Sequence, residues 1–215
     1  MATPLILRGA TLAIQSALAS AKTITAISKA SEASVTATHD YSVGDFVLID
    51  AVVGMTEINQ VVGRVKSVST TVSFVLEGID STNFTTYASG GTAQKITFGK
   101  SFDSVTNVDL PDGQPDENDI TTIHDTERQV AFGHDAKLTG TLSVIANPLN
   151  TAVIEVQTAA AAQQRRAFLL TFASGQKVLW NAYCTGGSGF SGGVGSAGTG
   201  QIALTLRKKA QWFSS

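Results

Sequence analysis

Cysteine is all but missing from this chain. Cys184 stands alone in 215 residues, so no disulfide can form within one molecule. A secreted scaffold held by disulfides is excluded. No His or basic residue lies close to Cys184 in sequence, and it reads as a buried thiol rather than a nucleophile. Charge is scarce as well: 15% of residues are charged against 43% hydrophobic, the proportions of a folded chain rather than a disordered one. So little charge also points to a surface partly covered by partners. The net charge of −2 removes the electrostatic footprint of a dedicated nucleic-acid binder. The one basic run, Arg207-Lys208-Lys209, reads as a solvated strand end. No apolar run approaches the ~20 residues of a membrane-spanning helix. The opening "MATPLILRGATLAIQSALASAK" ends in Ala19-Ser20-Ala21, which mimics a signal-peptidase site. Apolar residues already precede Arg8, and Gln15-Ser16 interrupt the run, so the stretch reads as folded chain.

What is present is mostly strand pattern. "TITAI", "ASVTAT", "GDFVLID", "QVVGRVKSV" and "TVSFVLEG" are rich in Val, Ile, Thr and Phe, with turn residues between them. "ASGGT", 88–92, reads as a boundary, and 97–108 as a further strand region. "AKLTGTLSVI" alternates Leu138, Gly140, Leu142 and Val144 with Lys137, Thr139, Thr141 and Ser143, a strand with one buried face. One helix is expected over about 147–166, with Asn147 as N-cap, Pro148 in the first helical position and an apolar stripe of Leu149, Ala152, Val153, Val156 and Ala160. "AFLLTFA" and "QKVLWNAYCT" flank Ser174-Gly175 as a hairpin. "QIALTLRKKA" is a last strand after the glycine-rich 186–200.

Two stretches could carry chemistry. The glycines contain G-x-G-x-x-G twice, at Gly187-Gly189-Gly192 and Gly193-Gly195-Gly198. A dinucleotide site needs a helix after that motif to receive the pyrophosphate. A strand pattern follows here, so the stretch reads as a loop. The second stretch is "DENDITTIHDTER", 116–128, with five carboxylates, a histidine and an arginine. Asp119, His124 and Asp125 suggest a metal or hydrolytic site, but His39 and His134 lie elsewhere and in no ligand spacing. The preceding Pro111, Gly113 and Pro115 predict a long irregular loop over 109–128. As a loop it is either a solvated acidic surface or an arm that orders against a neighbouring subunit.

From residue 96 onward the chain resembles the major tail tube proteins of long-tailed bacteriophages. The resemblance rests on the order of elements: an early strand, a loop leading to "HDTER", a "GTLSVIANP" strand, a helix, a hairpin holding "FLLTFASG", a glycine-rich loop and a last strand ending "TLR". It covers 96–209 and extends to 5–16. A second stretch, "GDFVLIDAVVGMTEINQ" with "GIDSTNFTTYASGGT", resembles a small β module of phage structural proteins, named after the first catalytic-cysteine half-domain of ubiquitin-activating enzymes. No ubiquitin chemistry is implied, since 23–96 contains no cysteine.

These resemblances imply a mainly β fold: a tail-tube β-sandwich or barrel over 1–22 and 97–215 with one flanking helix, plus a small all-β insert over 23–96. They imply a structural virion protein without enzymatic activity, metal or cofactor. Its subunits would form hexameric rings that stack into a hollow tube through which DNA passes without specific binding. Its partners would be other copies and the tape measure, terminator and distal tail proteins, with no membrane. Its place would be the virion tail, and the host cytoplasm during assembly. Asp112, Asp116, Glu117, Asp119, His124, Asp125, Glu127 and Arg128 become subunit-interface candidates. The alternatives are a terminator or distal tail protein, a secretion-system tube protein or, more distantly, a hydrolase using 116–128.

Overall fold

A computed structural model describes residues 6–69, 71–113, 115–135, 137–186 and 189–215, the side chains of 115, 116, 134 and 135 excepted. The described chain runs β1 (Thr11–Ile14), β2 (Ala17–Leu18), β3 (Lys22–Ile27), β4 (Ser34–Ala37), β5 (Phe46–Val53), β6 (Val61–Ser69), β7 (Ser73–Leu76) and β8 (Ser89–Thr97). It continues with β9 (Lys100–Phe102), β10 (Val105–Asp109), β11 (Pro115–Asp119), β12 (Val130–Asp135) and β13 (Thr139–Ile145). After the helix α1 (Thr151–Ala161) come β14 (Arg165–Thr171), β15 (Lys177–Gly186), β16 (Thr199–Leu206) and β17 (Gln211–Phe213). The fold is mainly β with one flanking helix, as expected.

Eight strands form one sheet in the order β10-β13-β16-β15-β14-β1-β9, with β17 also on β15. β9 and β10 stand at opposite ends of that order, yet only Asp103 and Ser104 join them. A link that short requires the sheet to roll until its ends meet. The rolled sheet encloses one core: Leu12, Ile14, Phe168, Leu170, Trp180, Ile202 and Leu204 line it, and Ala152, Val153 and Val156 of α1 close it. Phe168 and Trp180 sit opposite each other across β14 and β15 and stack with ring centroids 5.5 Å apart. The alternation read in "AKLTGTLSVI" is present: Gly140, Leu142 and Val144 are buried, while Thr139 and Thr141 are exposed.

β3 to β8 form a second unit. The order β8-β3-β4-β7-β6-β5, with β5 returning to β8, closes into a barrel that leaves no free strand edge. Ile24, Val35, Ile49, Met55, Ile58, Phe74 and Leu76 fill it. His39 is buried there, stacked on Tyr41 at 5.1 Å, with Nδ1 accepting from the Tyr41 N–H at 3.1 Å. The barrel leans on the outer face of the sheet: Phe46, Leu48, Val62 and Ile96 meet Ala167, Leu179 and Phe213. Asn181 Nδ2 donates to the Gln60 carbonyl at 2.8 Å and Arg207 Nε to that of Asn59 at 3.2 Å.

Several expectations need correction. The helix begins later than the sequence suggests, because Asn150 is the cap: its side chain accepts from the Ala152 and Val153 N–H groups. Asn147 and Pro148 form the preceding turn, closed by Asn150 N–H on the Asn147 carbonyl at 3.1 Å. Leu149 is 84% exposed, and the buried stripe ends on Ala159 rather than Ala160. The expected boundary at 88–92 runs into β8, which starts at Ser89. Gly90 and Gly91 have φ of 70° and 98°, and a Cβ on Gly91 would lie 2.6 Å from Val52 Cγ2. The glycines let β8 kink and press against β5 rather than end. Residues 11–14 and 17–18 of the signal-like opening are strands of the two sheets.

Candidate assembly interface

The acidic stretch is not an irregular loop. β11 and β12 pair antiparallel, Glu117 facing Phe132 and Asp119 facing Val130. Pro115 is compatible with this because it opens the strand, where a missing N–H costs least. The hairpin grows out of the edge pair β10 and β13, and every residue from Glu117 to Gln129 is exposed. Ile123 is 96% exposed and Phe132 67%. Two strands in water are marginally stable. A hairpin that also exposes large apolar side chains lacks the surface that would stabilise it.

The charged residues of this arm hold its own turn. Asp119 Oδ1 accepts from the Thr121 hydroxyl at 2.5 Å and from its N–H at 2.9 Å. Arg128 Nε reaches Asp119 Oδ2 at 3.2 Å. The Thr121 hydrogen bonds, hydroxyl first, hold the Asp119 carboxyl below its usual pKa. Asp125 Oδ2 accepts from the Thr122 N–H at 2.7 Å and hydroxyl at 2.8 Å, and these likewise lower its pKa. His124 sits at the tip, with its N–H 3.4 Å from the Thr122 hydroxyl. Glu117 and Glu127 point to solvent without a hydrogen bond or ion pair among the described residues. Asp112, before β11, is fully exposed and 3.7 Å from Lys209 Nζ. The side chain of Asp116 lies outside the described residues. The candidates therefore share one arm without converging on a point. Among the described residues no three His, Cys, Asp or Glu side chains gather as a metal site.

Residues the sequence reading passed over form a cleft at the foot of the arm. The run Arg207-Lys208-Lys209 is not a solvated strand end: Arg207 and Lys208 are half-buried. With Lys137 they line a cleft of about 590 Å³ between barrel, sheet and arm base, together with Ile79, Phe84, Leu138 and Leu206. Lys208 Nζ lies 4.5 Å from the Phe84 ring centroid. Burial, then repulsion from Arg207, pushes the Lys208 pKa down. Lys137 and Phe84 are far apart in sequence, so nothing in the chain's linear pattern announces this cleft. Among the described residues of the glycine stretch, Ser191 bridges to Thr199, and the strand β16 follows instead of the helix a phosphate site needs. Gly187 of the first glycine motif lies outside the described residues.

The chain thus combines a rolled sheet with a helix on it, a projecting hairpin and a glycine-rich return. A family model described as "Phage tail tube protein, TTP" matches residues 53–214. The chain belongs to this family. It is thus a structural subunit of a bacteriophage tail, located in the virion tail, which assembles into a tube with other tail proteins. No curated protein matched the sequence. The tail tube match begins within β5 of the closed barrel and runs through β17. Among the described residues no helix is long and apolar enough to cross a membrane.

Proposed function

We propose that the chain forms hexameric rings that stack into the tail tube, and that double-stranded DNA passes along the lumen. The exposed hairpin over 115–135 carries this reading. Residues 117–129 are exposed throughout, and the exposed Ile120, Ile123 and Phe132 call for a partner on a neighbour. Asp112, Asp116, Glu117, Asp119, His124, Asp125, Glu127 and Arg128 act in subunit contact, with Asp119 and Asp125 shaping the turn.

The lumen is lined by the outer face of β13 and β16. Thr139, Thr141, Ser143, Gln201, Ala203 and Thr205 lie there side by side in register, small and uncharged. The paired strand residues of such a face offer DNA no phosphate-binding cations, which would bring affinity and drag; Lys137, on the same face by alternation, precedes the strand. Residues 23–96 form an inserted module, with 1–22 and 97–215 as the tube unit, and the module sits outside the tube wall, where it leaves the lumen open.

The test is negative-stain electron microscopy of the purified chain over a range of concentrations. Rings and hollow tubes are expected. The pair His124→Ala and Asp125→Ala removes the Asp125–Thr122 turn bonds and is expected to leave folded monomers that do not polymerise. Loss of turnover of a substrate with assembly intact would instead favour a hydrolase. Density for 23–96 on the tube axis would overturn its outside placement.

A further inference from the structure

We propose that the basic cleft at the foot of the arm is the seat for the tip of the same arm on a second copy of this chain. The proposal rests on the tail tube reading and adds to it the surface that receives the arm.

Charge complementarity points to this occupant. Lys137, Arg207, Lys208 and Lys209 gather in one cleft on a chain of net charge −2. Among the residues lining the cleft the one acid is Asp80, whose carboxylate already accepts from the Thr82 N–H at 2.9 Å; at the rim the exposed Asp112 lies 3.7 Å from Lys209 Nζ, and Glu57 acts on Lys208. The arm carries the opposite sign in Glu127 beside the tip and in Glu117 lower on β11, neither with an ion pair among the described residues. Apolar groups match as well. Ile79, Phe84, Leu138 and Leu206 line the cleft, while Ile120, Ile123 and Phe132 stand exposed on the arm. A phosphate backbone has no use for that apolar lining. Gln211 also lines the cleft, and its buried Oε1 accepts no hydrogen bond among the described residues.

The seat cannot be filled from within. Gly113, Lys137 and Leu138 at the arm's own base form one wall of the cleft, and its tip is exposed throughout. Tip on foot is a heterologous contact between two different surfaces. Such a contact repeats from copy to copy without using itself up, so it closes into a ring or runs on along a column.

Disulfide trapping tests the contact. Cys184 is buried and can stay in place. Ile123→Cys on the arm and Asp80→Cys at the cleft are made singly and together, and the full chain is oxidised. Ladders beyond the dimer are expected only with both substitutions on one chain, and mixing the two single variants should give a dimer linked 123 to 80. A parallel series reverses charge: Lys137→Glu with Lys209→Glu, and Glu117→Lys with Glu127→Lys. Each pair should raise the critical concentration for polymerisation by about tenfold or more, and all four together should restore it. No ladder, with polymerisation hurt only by the arm pair, overturns the seat and leaves the arm's role standing. No ladder and no effect of either pair sinks both. Retention of a double-stranded oligonucleotide by the chain, lost in the lysine pair and with no ladder, would make the cleft a nucleic-acid site and also overturn the proposal.

Discussion

Glu155 ties three elements together from the buried face of α1. Its carboxylate takes Lys100 Nζ of β9 at 2.6 Å and Arg166 Nε of β14 at 2.8 Å. Burial is the largest influence and opposes ionisation, but the hydrogen bonds and charges of Lys100 and Arg166 outweigh it and leave the pKa below the usual value. A lowered folded pKa contributes stability above the unfolded value, near 4.5, and that contribution fades as pH falls through the folded value. Urea unfolding of the monomer at several pH values should show Glu155→Ala less stable by about 3 kcal/mol at neutral pH, with the gap narrowing on acidification below pH ~4.5. Cys184 is 3% exposed, and burial pushes its thiol up to about 12. A thiol reagent should leave the native chain unmodified and label one site after unfolding. The buried thiol was legible in the sequence because nothing nearby could activate it. The ionic knot at Glu155 was not, because Lys100, Glu155 and Arg166 meet only after three separate elements pack.

At the scale of elements, local pattern reached as far as local forces decide. The one-sided strand β13 follows from alternation that burial enforces, and the β14–β15 hairpin from two apolar strands flanking Ser174-Gly175, with Val178–Ala182 buried on both faces. The helix start was misplaced because Asn147 and Asn150 are equally good caps by residue type, and only the packed turn selects the second. The β11–β12 hairpin was hidden because β11 is polar and β12 leaves Phe132 exposed, so no buried face imposes alternation on them. β17 is three residues whose pairing with β15 depends on where β16 ends. At Gly91, where β8 kinks against β5, Gly91→Ala meets both a positive φ and the Val52 side chain. It should destabilise the barrel by roughly 1–3 kcal/mol, read as an earlier thermal transition. On the arm, Ile123→Ser should improve monomer solubility and weaken polymerisation, measured by sedimentation.

For the whole molecule, what the linear pattern does not contain is closure. β5 meets β8 across some forty residues, and the large sheet meets its own end through Asp103-Ser104. Both are properties of the assembled chain. The basic cleft is likewise created by closure, since it takes one wall from the barrel, one from β16 and its following turn, and one from the arm. The proposed lumen face makes a prediction at this scale. Thr141→Lys with Gln201→Lys should leave tube length unchanged in micrographs and slow DNA release in an ejection assay.

β2 and β8 pair side by side, Ala17 opposite Thr97 and Leu18 opposite Ile96. The chain therefore leaves the large sheet and returns to it at neighbouring points, about 5 Å apart as in any antiparallel pair. A short loop could join those points at little entropic cost. On the proposed division of the chain, the barrel would be a cassette, open to replacement by any folded unit whose ends lie equally close. What an exchange must still supply is an apolar cover for Ala167, Leu179 and Phe213.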